Sequence, residues 1–163
     1  MKCYLTPHFQ LGELLTSSTT SRVVDNLNHL SNEYFDNLCV LAHHLENLRC
    51  LSGNQPVRIN SAFRSRSTNK AVGGSANSHH LRGLAADCAV KDPASFYRWC
   101  HFYAQCLIDR GEFSANDFEI ILYPTFVHFC VNVKHYENFS TNFPALPRVA
   151  SQCHYTEQKE LPF

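Results

Sequence analysis

The sequence predicts an α+β domain in which helices pack on one face of a small antiparallel sheet. Three observations carry this reading. Apolar residues recur at three- and four-residue steps between Leu27 and Leu51, two short runs of strand-forming residues lie around a Gly73-Gly74 loop, and a second pair of such runs follows around Pro124-Thr125. Helices early and a small antiparallel sheet later give a layer of helices against one sheet face.

The elements follow in order. Leu30, Tyr34, Leu38, Leu41, Leu45 and Leu48 hold the period of an amphipathic helix. Gln55-Pro56 leads into Val57-Arg58-Ile59-Asn60-Ser61, whose alternation predicts a strand with one buried face. After the glycine loop, Ala85 to Val90 form a second short apolar run. Asp92-Pro93 reads as an N-cap followed by proline at the first helical position, and Phe96, Trp99, Cys100, Tyr103 and Leu107 keep helical spacing until Gly111. Phe118 to Tyr123 and Phe126 to Val133 predict a hairpin. Pro144, Pro147 and Pro162 make residues 134–163 an irregular tail.

At 163 residues and 44% apolar content, the chain suffices for one core, and residues 1–163 read as a single domain. The formal charge is zero, so the broad basic field of a nucleic-acid-binding protein is missing. His8, Gln10, Gly12 and Glu13 interrupt the first residues, no later stretch approaches a membrane span, and the expectation is a chain without secretion signal or membrane insertion. Eight cysteines lack the short spacing of a zinc ribbon and read as reduced, mostly buried thiols.

Ten histidines and six aspartates give roughly a third of a His-x6-Asp pair by chance, so spacing alone identifies nothing. The chain supplies its own control, since His29 and Asp36 share the spacing of His80 and Asp87. On a helix, seven residues separate the first pair by roughly 10 Å, too far to share an ion. Gly83 lets the chain bend between the second pair, which permits imidazole and carboxylate to meet.

Residues 60–87 read NSAFRSRSTNKAVGGSANSHHLRGLAAD. This resembles the M15 zinc peptidases, whose signature pairs an aromatic-Arg-Ser segment with Asn-x-Ala-Val-Gly-Gly and then Ser-x-His-x-x-Gly-x-Ala-x-Asp. Ser78, His80, Gly83, Ala85 and Asp87 match every fixed position of the last motif. Phe9, Leu11, Glu13, Leu14, Ser17, Thr19 and the Asn26 region resemble the N-terminal segment of an M15 branch frequent in phage genomes, so the resemblance spans about residues 9 to 133.

The resemblance implies the hedgehog/DD-peptidase fold and a zinc ion held by His80, Asp87 and His128, the last in Phe126-Val127-His128. It implies Arg64 as the cation that stabilises the oxyanion and Ser78 as a substrate-side hydroxyl. It also implies a bacterial peptidoglycan peptide as substrate, cut beside a D-amino acid by carboxypeptidase or endopeptidase action, in a phage lysis or virion-associated setting. The oligomeric state is left open.

The chain departs from the family at one point. The glutamate that usually precedes the last histidine is missing from Leu122-Tyr123-Pro124-Thr125-Phe126-Val127. Glu119 is the nearest acid and the first candidate for the proton-transfer group, followed by His79 and Tyr123. The rival expectation is a non-catalytic zinc-stabilised wall-binding or structural module, in which Cys130, two residues beyond His128 on the same strand face, closes the site as a fourth ligand.

Overall fold

A computed structural model describes residues 3–17 and 22–132. It contains α1 (Leu11–Leu14), α2 (Val23–Asn28), α3 (Asn32–Leu51), β1 (Arg58–Ser61), α4 (Arg66–Ala71), β2 (Ala85–Ala89), α5 (Pro93–Asp109), β3 (Phe118–Leu122) and β4 (Val127–Val131). Short 3₁₀ turns occupy His79–Arg82 and Ala115–Asp117. The four strands form one antiparallel sheet in the order β1-β2-β4-β3, and the α+β reading of the sequence holds.

Alternation along the strands separates two faces. Ile59, Ala86, Cys88, Val127, Phe129 and Val131 join the main core, where Leu38, Leu41, Leu45 and Leu48 of α3 and Phe96, Cys100, Tyr103 and Leu107 of α5 cover them. Complete burial of a Leu or Phe side chain contributes about 1.5–3 kcal/mol, so this face supplies most of what holds the layers together. Residues of the opposite parity on β2 and β4, Ala85, Asp87, His128 and Cys130, share the other face.

The first long helix differs from its predicted span. Leu27 belongs to α2, and α3 starts at Asn32 because the Ser31 side chain accepts a hydrogen bond from the Tyr34 amide. The periodicity ran across both because Leu30, in the break, packs on the same core. The segment read as a loop before Gly73-Gly74 contains α4, capped by Ser65, whose side chain accepts from the Thr68 amide. Strand β4 ends at Val131, and Val133 and the 134–163 tail lie outside the described residues. The helix after Asp92-Pro93 forms as predicted, with the Asp92 carboxylate accepting from the Ser95 amide.

Buried Asn26 fastens the site's scaffold. Its amide donates to the Leu15 carbonyl at 2.8 Å and its oxygen accepts from the Ser65 amide at 2.9 Å. Satisfied in this way, a buried polar group costs little and fixes the position of both segments. The Phe63 amide donates to the Leu14 carbonyl at 2.9 Å and the Arg64 amide to the His80 carbonyl at 3.0 Å. These bonds hold the chain between β1 and α4 beside the 3₁₀ turn.

Candidate metal centre

Asp87 is the middle of the site. In the sheet it lies opposite His128 of β4 on one side and, after an irregularity between Ile59 and Ser61, opposite Ser61 of β1 on the other. His80 comes from the 3₁₀ turn, which Ser78 caps by accepting the His80 amide at 3.3 Å and which Gly83 ends at φ 70°. That left-handed residue turns the chain into β2 and brings His80 and Asp87 together, as the position of the glycine suggested.

The geometry of the three side chains is close. Asp87 Oδ1 lies 2.9 Å from His128 Nδ1 and 3.4 Å from His80 Nε2, and a ligand atom from each residue is within 4.8 Å of the others. His80 Nδ1 is 2.6 Å from the Ala62 carbonyl. A carbonyl only accepts, so Nδ1 carries the proton and the Nε2 lone pair faces Asp87. Burial pushes His80 downward in pKa, which keeps the imidazole in its neutral, ligating form.

The other oxygen of Asp87 is also used. Arg64 donates from a terminal nitrogen to Oδ2 at 2.9 Å and from Nε to Ser61 Oγ at 2.8 Å. Burial lowers the guanidinium pKa while Asp87 raises it, and at so high a starting value the charge persists. Burial raises the Asp87 pKa, but the hydrogen bond from His128 Nδ1 outweighs it and leaves the carboxylate well below its usual range. The Arg64–Asp87 pair was not legible in the sequence, since it depends on the register that sets Ser61 opposite Asp87.

Glu119 reaches the same region. It pairs with Cys130 across the β3–β4 hairpin while Ile121 pairs with His128, so all four share the site's face. Its Oε2 lies 2.8 Å from His79 Nδ1 and 4.0 Å from His128 Nε2. His79 begins the 3₁₀ turn. Cys130 groups with His79 and Glu119, ligand atoms again within 4.8 Å, and not with His80, Asp87 and His128. Burial first and Glu119 second push its thiol up to about 12, against the charge of Arg82. Tyr123 is exposed and stacks on Phe126 with ring centroids 4.5 Å apart.

A cleft of about 760 Å³ adjoins the cluster. Arg64, Ser78, Asn77, Arg66 and Arg82 line it, while His80, Asp87 and His128 do not. It is therefore a neighbouring channel that meets the cluster through Arg64 and Ser78. Arg66 and Arg82 make no ion pair among the described residues, whereas Arg64 is engaged with Asp87. The control pair is far from such an arrangement: His29 sits at the end of α2, against the Asp25 carbonyl at 2.8 Å, and Asp36 is exposed on α3.

Two histidines and a carboxylate, one imidazole oriented by a carbonyl and the carboxylate by an arginine, are a donor set suited to zinc with positions left over. Among the described residues no helix is long and apolar enough to cross a membrane. No curated protein matches the chain. A family model described as Peptidase M15 matches residues 7–117, more than half of the chain and the part that carries Arg64, Ser78, His80 and Asp87, while Glu119 and His128 lie just beyond it. The chain that folds its motif residues around Asp87 in this way belongs to the peptidase M15 family and is a metallopeptidase by membership.

Proposed function

We propose that this chain is a single-domain zinc peptidase that hydrolyses peptidoglycan stem peptides or cross-links beside a D-amino acid, in a phage lysis or virion-associated setting. The observation that carries the proposal is the meeting of His80, Asp87 and His128 with their supporting contacts already made. His80 through Nε2, Asp87 through Oδ1 and His128 through Nδ1 would hold the ion. When bound, zinc polarises the scissile carbonyl and makes water acidic enough to attack near neutral pH.

The remaining roles belong to the chain's own side chains. Arg64 holds Asp87 in place and supplies positive charge where the carbonyl oxygen becomes an oxyanion, a charge that stabilises the transition state more than the ground state. Ser78 lines the cleft and offers a hydroxyl to the peptide. Arg66 and Arg82, which pair with no carboxylate among the described residues, suit the carboxylate groups of a stem peptide. Glu119 takes the proton of the attacking water and returns it to the departing amine, with His79 fixing its orientation.

The grouping of Cys130 with His79 and Glu119 supports an open site over a closed four-ligand structural one. The deciding experiment is digestion of purified peptidoglycan by zinc-loaded protein, with products identified by mass, for wild type and Glu119→Gln. Release of fragments cut beside a D-amino acid is expected, with Glu119→Gln keeping zinc and losing roughly 10² to 10⁴ in turnover. Wild type that binds zinc and cuts no wall substrate would instead favour the non-catalytic module.

A further inference from the structure

We propose that His79, Glu119 and Cys130 form a second, lower-affinity site for a soft divalent cation such as zinc, beside the first, through which excess zinc inhibits the enzyme. One ligand atom from each lies within 4.8 Å of the others. Around a tetrahedral ion with bonds near 2.0–2.3 Å, ligand atoms sit about 3.4 Å apart, so closure needs only small side-chain shifts. The His79–Glu119 contact at 2.8 Å already joins two of the three.

The donor chemistry fits such an ion. Thiolate and carboxylate together carry two negative charges, equal and opposite to a divalent cation, with the thiol proton released to solvent on binding. Sulfur and imidazole select zinc, cadmium or cobalt over magnesium or calcium. Cys130 packs against Leu84 and Ala85, which keeps its side of the site dry, while Glu119, 44% exposed, leaves an approach from solvent. Affinity falls below that of the first site because Glu119 is open to competing water, whereas the side chains of His80, Asp87 and His128 are only 4%, 13% and 12% exposed.

The two sites meet at Glu119, whose Oε2 is 4.0 Å from His128 Nε2. A cation bound there occupies the carboxylate assigned above to proton transfer; the inhibition, unlike the binding, rests on that peptidase reading. Metal-free protein is titrated with cobalt and followed in the near ultraviolet. Wild type should take up two equivalents, the second bringing a thiolate-to-cobalt charge-transfer band. His80→Ala should keep the band, whereas Cys130→Ser and the partly exposed His79→Ala should lose it and retain one equivalent. Absence of the band at every cobalt concentration overturns the site, and so does a band that comes with the first equivalent and vanishes in His80→Ala, because Cys130 would then close the first site. In turnover assays, excess zinc should slow wild type by roughly 10²-fold, the share of a captured proton-transfer group, and spare Cys130→Ser. Equal inhibition of both proteins sinks the regulatory role, while a wild type without turnover leaves the cobalt result to decide the site alone.

Discussion

Arg64→Ala separates two roles that one side chain combines. The guanidinium binds Asp87 Oδ2 at 2.9 Å and Ser61 Oγ at 2.8 Å, so its removal frees the carboxylate to rotate as well as deleting a cation. Loss of a contact that orients a metal ligand weakens metal affinity by about 10 to 100-fold, or about 1.4 to 2.8 kcal/mol. Loss of an oxyanion-stabilising group lowers kcat by a further factor of about 10² to 10³. The two effects are read separately, zinc affinity by competition with a coloured chelator and kcat at saturating zinc.

A third readout comes from stability. Asp87 is 13% exposed, and without Arg64 the metal-free protein keeps a partly buried carboxylate with only imidazoles beside it. Breaking such a pair costs about 3–5 kcal/mol, and zinc offsets much of that by restoring a positive partner. The melting temperature should therefore fall more in metal-free than in zinc-loaded Arg64→Ala. Arg64→Lys should recover only part, because one ammonium cannot reach both partners in the fixed fork of a guanidinium. Unchanged zinc affinity in Arg64→Ala would refute the orienting role, and unchanged kcat at saturating zinc would refute the oxyanion role.

What the sequence disclosed of this site divides along physical lines. The His80–Asp87 encounter was legible because a glycine stands where the chain must take φ 70°. Gly74 is explained just as locally, since a Cβ there would fall on the Asn69 amide, which bonds back to the Ser75 carbonyl at 2.9 Å. Helix α4 was invisible because Arg66 to Ala71 has no apolar period; Ser65 caps it, and Asp25, from far along the chain, holds that cap by accepting from the Ser65, Ser67 and Thr68 hydroxyls. The side on which Glu119 falls was undetermined without the hairpin register. Leu122 pairs with Val127, which places Ile121 opposite His128 and Glu119 opposite Cys130. A shift of one residue would have turned Ile120 to the site and Glu119 to the core. Local conformation was readable, and contacts set by register were not.

Three further outcomes follow from the geometry. His80→Ala, Asp87→Ala and His128→Ala should each lose the bound zinc, while His29→Ala and Asp36→Ala, which lack a shared focus, should keep it; metal analysis of the five variants decides. Asp25 is pushed down to about 2 by hydrogen bonds from Ser65, Ser67 and Thr68. A carboxylate lowered on folding stabilises above its unfolded pKa of about 3.9 and loses that contribution as pH falls through the folded value. The melting-temperature gap between wild type and Asp25→Ala should thus be constant from neutral pH to about 4 and close toward about 2; a gap that widens on acidification would contradict the assignment. The last outcome compares Gly83→Ala with Gly73→Ala. Both residues have positive φ, 70° and 71°, so a side chain at either is strained by about 1–3 kcal/mol. At Gly73 an added Cβ meets nothing within 4 Å, whereas at Gly83 it lies 3.0 Å from the Tyr34 carbonyl oxygen and 3.2 Å from Leu38 Cγ. The carbonyl belongs to α3 and yields little, so the 3₁₀ turn must move, carrying His80 away from Asp87. Gly83→Ala should therefore unfold at the lower temperature and bind zinc more weakly, while Gly73→Ala shows the backbone cost alone and wild-type zinc affinity. Equal losses of stability and equal zinc affinities in the two variants would mean that packing against α3 does not set the position of His80.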